Sequence, residues 1–234
     1  MADKRISIPF SGLGKCRRQI AYKILKIPIS DPTPYEARVR MNKGTASEDR
    51  VVPDLERRGY RITHATQGQK TMTIVLPGDQ MQFRGRSDGF LKDVKWFVLE
   101  LKLVGTKQWR RWKRNGVALF RPNYMAQAHA EMASSGIWDT WFEATDRDKL
   151  DKDELVGHTE KIEFDLGYWG EIVDRWKEIL PYLLQRKLPP PDYSGKTWEC
   201  APGSCNWSSV CPSGKFYQSR QELTIEEVTH HDTT

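Results

Sequence analysis

Long apolar runs are missing from this chain of 234 residues. None approaches the roughly 18 residues that a membrane-crossing helix needs, and the opening MADKRISIPF has no apolar stretch of the secretory kind. The expectation is a soluble, cytoplasmic protein without membrane association. Cysteine is scarce, with four residues in all, too few to read as a disulfide framework in an intracellular chain of this length. No internal repeat is visible. Lysine and arginine are absent from the last fourteen positions, QELTIEEVTHHDTT, which carry Glu222, Glu226, Glu227 and Asp232. The whole chain has a net charge of +6, so the 220 residues before that tail carry +10. A body this basic fits a polyanionic partner such as nucleic acid, or a solvated basic surface. What is present excludes disorder as the main state: 38% hydrophobic residues, 11% aromatic residues and nine tryptophans suffice for a packed core.

Apolar periodicity predicts a helix over 11–27, broken by Pro28, Pro32 and Pro34, and a second from about Pro34 to Gly59, kinked at Pro53. Glu48 lies in that second helix beside Val51, Val52 and Leu55 at helical spacing, so its carboxylate shares or borders the apolar face. Three strand-like runs follow at 71–77, 81–91 and 94–104, the last two reading as a hairpin. The segment 105–116 is basic and aromatic, and 122–136 opens on Pro and closes on Gly as a helix does. Strands at 137–144 and 161–166 and a long helix through Trp169, Trp176 and Leu184 complete the pattern. The expected arrangement is one domain over 1–220, with its core at 34–188 and a separate acidic tail at 221–234.

The stretch GRSDGFLKDVKWFVLELK is the most informative. Asp88 precedes Glu100 by twelve residues, and Lys102 follows two positions on. On a strand Glu100 and Lys102 share one face while Leu99, Leu101 and Leu103 take the other. A hairpin would bring Asp88 beside Glu100, giving two hard oxygen ligands of the kind Mg²⁺ and Mn²⁺ prefer. Such a cation and an adjacent ammonium can together activate water, neutralise a phosphoryl group and stabilise a departing oxygen. The plainer reading is an amphipathic strand with a solvated polar face.

This arrangement resembles the PD-(D/E)XK nucleases of the RecB-like branch, with Ser87-Asp88 in place of the proline-aspartate and Glu100-Leu101-Lys102 as the E-x-K. Gly44-Thr45-Ala46-Ser47-Glu48 matches that branch's upstream helix, and Tyr124 with Gln127 matches its downstream Tyr-x-x-Gln helix. The motifs run in order between residues 16 and 211. The resemblance implies an α/β fold with a mixed central sheet flanked by helices. It also implies metal ligation by Glu48, Asp88, Glu100 and the Leu101 carbonyl, a water-orienting Lys102, and positioning by Gln127 and Tyr124.

Cys16, Cys200, Cys205 and Cys211 could supply one four-thiolate site, and their spacing suits zinc or an iron-sulfur cluster equally. One cysteine before the core and three after it is similar to the iron-sulfur CRISPR-associated exonucleases and the nuclease module of AddB. That likeness implies a 4Fe-4S cluster, with Zn²⁺ as the alternative, stapling residues 11–27 to 198–215.

Lys107, Trp109, Arg110, Arg111, Trp112, Lys113 and Arg114 follow the E-x-K strand directly. They read either as phosphate-binding cations with base-stacking indoles, or as a solvated basic helix whose tryptophans return to the core. Arg84, Arg86 and Arg121 flank the site and could hold phosphates. His64 and His129 read as surface or satisfied core histidines. The function expected is a Mg²⁺- or Mn²⁺-dependent deoxyribonuclease, exonuclease by resemblance, in recombination, repair or end processing. The alternatives are a DNA-end-binding accessory protein without turnover and a zinc-stabilised structural protein.

Overall fold

The computed structural model describes residues 5–65, 68–193, 197–215 and 218. The acidic tail at 221–234 lies outside them. The chain divides into two compact units, one of 1–14 and 40–178 and a second of 15–39 and 179–234.

The first unit is built on two sheets. β1 (Ile6–Pro9) runs parallel to β4 (Met81–Arg86), and β3 (Thr71–Val75) pairs antiparallel on β4's other side. Gly85 is required there, because a Cβ would stand 2.4 Å from the Phe10 ring. The second sheet has the order β2 (Arg61–Thr63), β5 (Gly89–Lys92), β6 (Trp96–Val104), β7 (Asp139–Asp146), β8 (Gly157–Glu163). Only β6 and β7 are parallel within it, and α3 (Thr106–Phe120) and α4 (Pro122–Ser135) make their crossover. The run expected as one strand over 81–91 is therefore two strands in different sheets, broken at Ser87-Asp88. β1 and β2 carried no strand signal in the sequence reading.

Alternation along β6 assigns its two faces. Phe97 and Leu99 join Val51 and Leu55 of α2 (Tyr35–Arg57), Leu91 and Trp141 in one apolar cluster, with Leu101 packed against it. Val104 joins Trp112, Val117 and Phe120 of α3 in the other, with Ala128, Phe142 and Ala144. This layering of helices over a largely buried sheet is a mixed α/β architecture. α4 stops at Gly136, whose φ of 71° suits the left-handed cap. α5 (Arg147–Leu150) and α6 (Leu166–Lys177) complete this unit.

The second unit holds α1 (Arg17–Ile24), α7 (Leu180–Leu184) and a 3₁₀ turn at Trp198–Cys200. Tyr22 stacks on Trp207 with centroids 5.3 Å apart, and the Trp207 indole donates to the Pro28 carbonyl at 2.9 Å. Among the described residues no helix is long and apolar enough to cross a membrane.

Candidate active site

The hairpin of β5 and β6 sets the site. Gly89 opposes Leu99, which brings the preceding Asp88 alongside Glu100. The Leu101 amide donates to Asp88 Oδ2 at 2.7 Å, tying the two strands together at the acid itself. Lys102 emerges on the Glu100 side of β6 and ion-pairs with Glu100 Oε2; its Nζ also lies 3.7 Å from Asp88 Oδ2. Beneath the ammonium lies the Tyr124 ring, 5.3 Å from Nζ to its centroid, a favourable cation–π placement. Gln127, one turn along α4, donates from Nε2 to Glu100 Oε1 at 3.0 Å. Glu48 is half-buried on α2, where Gln69 donates to its Oε2 at 3.3 Å. It interacts electrostatically with Lys102 and Glu100. Of the Gly44–Glu48 stretch, only the Glu48 side chain lies within the description.

Electrostatics mark this cluster as costly. Glu100 is completely buried, and Asp88 retains 18% of its side-chain exposure. Burial first, then the neighbouring Glu100, pushes the Asp88 carboxyl up to about 7. Burial likewise raises Glu48, with Lys102 pulling the other way. Burial alone would lower Lys102, but Glu100 and Asp88 outweigh it and drive the ammonium well above the ordinary lysine range.

A residue that the sequence reading missed belongs here. Glu131 lies one turn beyond Gln127 on α4, is completely buried, and accepts from Gln127 Nε2 at 3.0 Å. Burial, then Glu100, holds its carboxyl far above the usual range. The only available signal was the four-residue spacing from Gln127, which on a solvated helix would be unremarkable.

Four carboxyls thus surround one ammonium. That excess of hard oxygen donors fits a divalent cation chemically. Among the described residues, however, no three His, Cys, Asp or Glu side chains stand as a finished metal cage. The same holds for the thiols, which are described within the second unit alone. Cys16 precedes α1, Cys200 closes the 3₁₀ turn, and Cys211 and Cys205 pack with Tyr22 and Trp207. None is paired in a disulfide. Burial first, then repulsion from Cys211, Cys16 and Cys200, lifts the Cys205 thiol to about 11. Cys205 therefore lies within electrostatic reach of the other three, and the soft donor set fits zinc or iron-sulfur chemistry. Among the described residues no cluster joining the terminal segments is present as a preformed cage.

α3 corrects part of the nucleic-acid expectation. Trp112 is fully buried between Phe120 and Phe142, so it offers no face for base stacking. Trp109 is half-buried and donates to the Ala144 carbonyl at 2.9 Å. The three- and four-residue spacing turns these rings inward and leaves Lys107, Arg110, Arg111, Lys113 and Arg114 exposed. Gly116, at φ 74°, kinks the helix, and Glu160 accepts from both the Trp112 indole at 2.6 Å and the Val117 amide at 2.9 Å. Arg84 and Arg86 are exposed on β4, and Arg121 lies over the Phe120 ring. His129 is a satisfied core histidine, bonded through Nδ1 to the Met125 carbonyl and accepting at Nε2 from the Asp165 amide. His64 is exposed, edge-on to Phe90.

No family profile matches this chain, and no curated protein is similar enough to identify it. Solved structures share its fold. The crystal structure of SSO0001 is 17% identical, with a TM-score of 0.54 over 92% of this chain and 90% of that one. An alkaline exonuclease of Laribacter hongkongensis, LHK-Exo, is 17% identical, with a TM-score of 0.55 over 76% of this chain and 88% of its own. The same exonuclease in complex with dAMP gives 19% and 0.56 over the same shares. This chain shares the fold of SSO0001 and LHK-Exo.

Proposed function

We propose that this protein is a metal-dependent DNA nuclease that cleaves from strand ends and serves recombination, repair or end processing. The observation that carries the reading is the convergence of Asp88, Glu100, Lys102 and Gln127, drawn from a hairpin and a helix, within a fold shared with LHK-Exo.

Glu48, Asp88, Glu100 and the Leu101 carbonyl would hold Mg²⁺ or Mn²⁺, which when bound lowers the pKa of water and offsets phosphoryl charge. Lys102, kept protonated by its acidic neighbours, orients the nucleophile and stabilises charge on the departing oxygen. Tyr124 and Gln127 fix that ammonium and Glu100 in place. The exposed cations of α3, with Arg84, Arg86 and Arg121, bind the phosphate backbone in a salt-dependent way. In the second unit, Cys16, Cys200, Cys205 and Cys211 would hold a 4Fe-4S cluster, or Zn²⁺, in a structural role; the electrostatic reach of Cys205 to the other three thiols supports this reading.

The test is digestion of end-labelled single- and double-stranded DNA with Mg²⁺ or Mn²⁺, with a closed circle alongside. Cleavage of linear DNA, resistance of circles, and loss of cleavage with retained binding in Asp88→Asn are expected. A wild type that binds ends but is inert with both metals would replace the enzyme by an end-binding accessory protein.

A further inference from the structure

Among the described residues, Glu131 is the one completely buried acid beside the proposed site that the mechanism above leaves idle. We infer that it is a positioning residue that locks the amide orientation of Gln127; the inference rests on the nuclease reading for its catalytic consequence.

The geometry carries the argument. Gln127 Nε2 is 3.0 Å from Glu100 Oε1 and 3.0 Å from Glu131 Oε1. An amide nitrogen has two hydrogens, and here each meets its own carboxyl oxygen. The reverse orientation would set the amide carbonyl against the Glu100 carboxylate and leave the amide donors without both acceptors, so the pair favours this orientation. Either protonation state of Glu131 leaves an acceptor for this bond. With both hydrogens committed, the Gln127 carbonyl is the end left to accept a hydrogen bond from water at the site. With Glu100 alone, one hydrogen would be unassigned and the amide could turn. The other Glu131 oxygen, Oε2, is buried and takes no part in the bond to Gln127. A purely structural glutamate gains little from such a place, because an apolar residue of similar volume would avoid the desolvation.

The experiment compares Glu131→Met, Glu131→Gln, Gln127→Met and the Glu131–Gln127 double variant in steady-state cleavage of a linear duplex. E131M is expected to lower kcat about 10- to 100-fold with KM little changed, the range typical when an orienting partner is lost. E131Q, which keeps an acceptor, is expected to restore most of that loss. In the Gln127→Met background E131M should add less than about twofold, since the two act as one unit. Wild-type kcat in E131M, or an undiminished effect in the double variant, overturns the inference. A second readout needs no catalysis: in ¹⁵N-glutamine spectra of the wild type, the resonances that vanish in Gln127→Met should be a shifted, slowly exchanging amide pair. E131Q should keep them and E131M, where folded, should lose them. Ordinary, rapidly exchanging Gln127 amide signals in the wild type sink the inference even if the chain cleaves DNA. An inert wild type with the protected pair sinks the nuclease reading and leaves the lock standing.

Discussion

The acid cluster of the first unit and the thiol cluster of the second gather distant residues by opposite means. At Asp88, Glu100, Glu131 and Lys102, every group is charged or shares a hydrogen bond, and each is held by a named partner. Cys205 and Cys211 pack with Tyr22 and Trp207, and burial raises the Cys205 thiol. Removing a partner from the first cluster strands a buried charge; removing one from the second leaves a small void unless a metal has been bound. The contrast teaches that polar groups tied by mutual hydrogen bonds and ion pairs are specified by their own network, whereas thiols are placed by packing alone.

The largest effect should come from Lys102→Met. Loss of the ammonium leaves Asp88 and Glu100 uncompensated, at a cost of about 3–5 kcal/mol in urea unfolding at neutral pH. Cleavage should fall at least about 100-fold. Unchanged stability would break the comparison. Next, Cys205→Ala should abolish the iron, sulfide or zinc content of the purified protein and lower its unfolding midpoint sharply. In chelated protein the same change should cost only about 1 kcal/mol. An iron-sulfur centre would also show visible absorption that bleaches with dithionite.

A smaller effect separates the clusters by pH. Asp88 is held at about 7 when folded, against about 3.9 unfolded. The folded state therefore binds more protons between those values, and metal-free protein should gain stability as pH falls from about 7 towards 4. Asp88→Asn should flatten that rise. Cys205, lifted to about 11, moves the corresponding loss to the alkaline range, between about 8.5 and 11. Thermal unfolding across pH reads both windows. The smallest effect should be that of His129, which burial holds below the ordinary histidine range. Its contribution is complete above about pH 6.5 and declines as pH falls, and His129→Gln should remove that decline.

Much of this was legible in the sequence because it depends on local periodicity. Alternation placed Glu100 and Lys102 on one face of β6 and Leu99 and Leu101 on the other, and Pro122 and Gly136 bracketed α4. The hairpin that brings Asp88 to Glu100 followed from Lys92 and Asp93 between two strand runs. The break at Ser87-Asp88 into separate sheets was hidden, because only two residues separate β4 from β5 and only long-range pairing to β1 and β3 reveals the division. The tryptophans of α3 read equally well as stacking or core residues until the partner surface was known; Phe142 and Glu160, both distant in sequence, decide for the core.

The order of residue types along the chain thus determined α2, α4, β6 and the acid–lysine motif, since each rests on spacings of a few residues, whereas β1, β2 and the division of the last long helix into α6 and α7 did not show in it. Burial of Glu131, its shared hold on the Gln127 amide and the upward displacement of the Asp88 carboxyl were decided only by tertiary structure. Desolvation and hydrogen-bond partnership are properties of what surrounds a group, and that surrounding is assembled from residues far apart in the sequence.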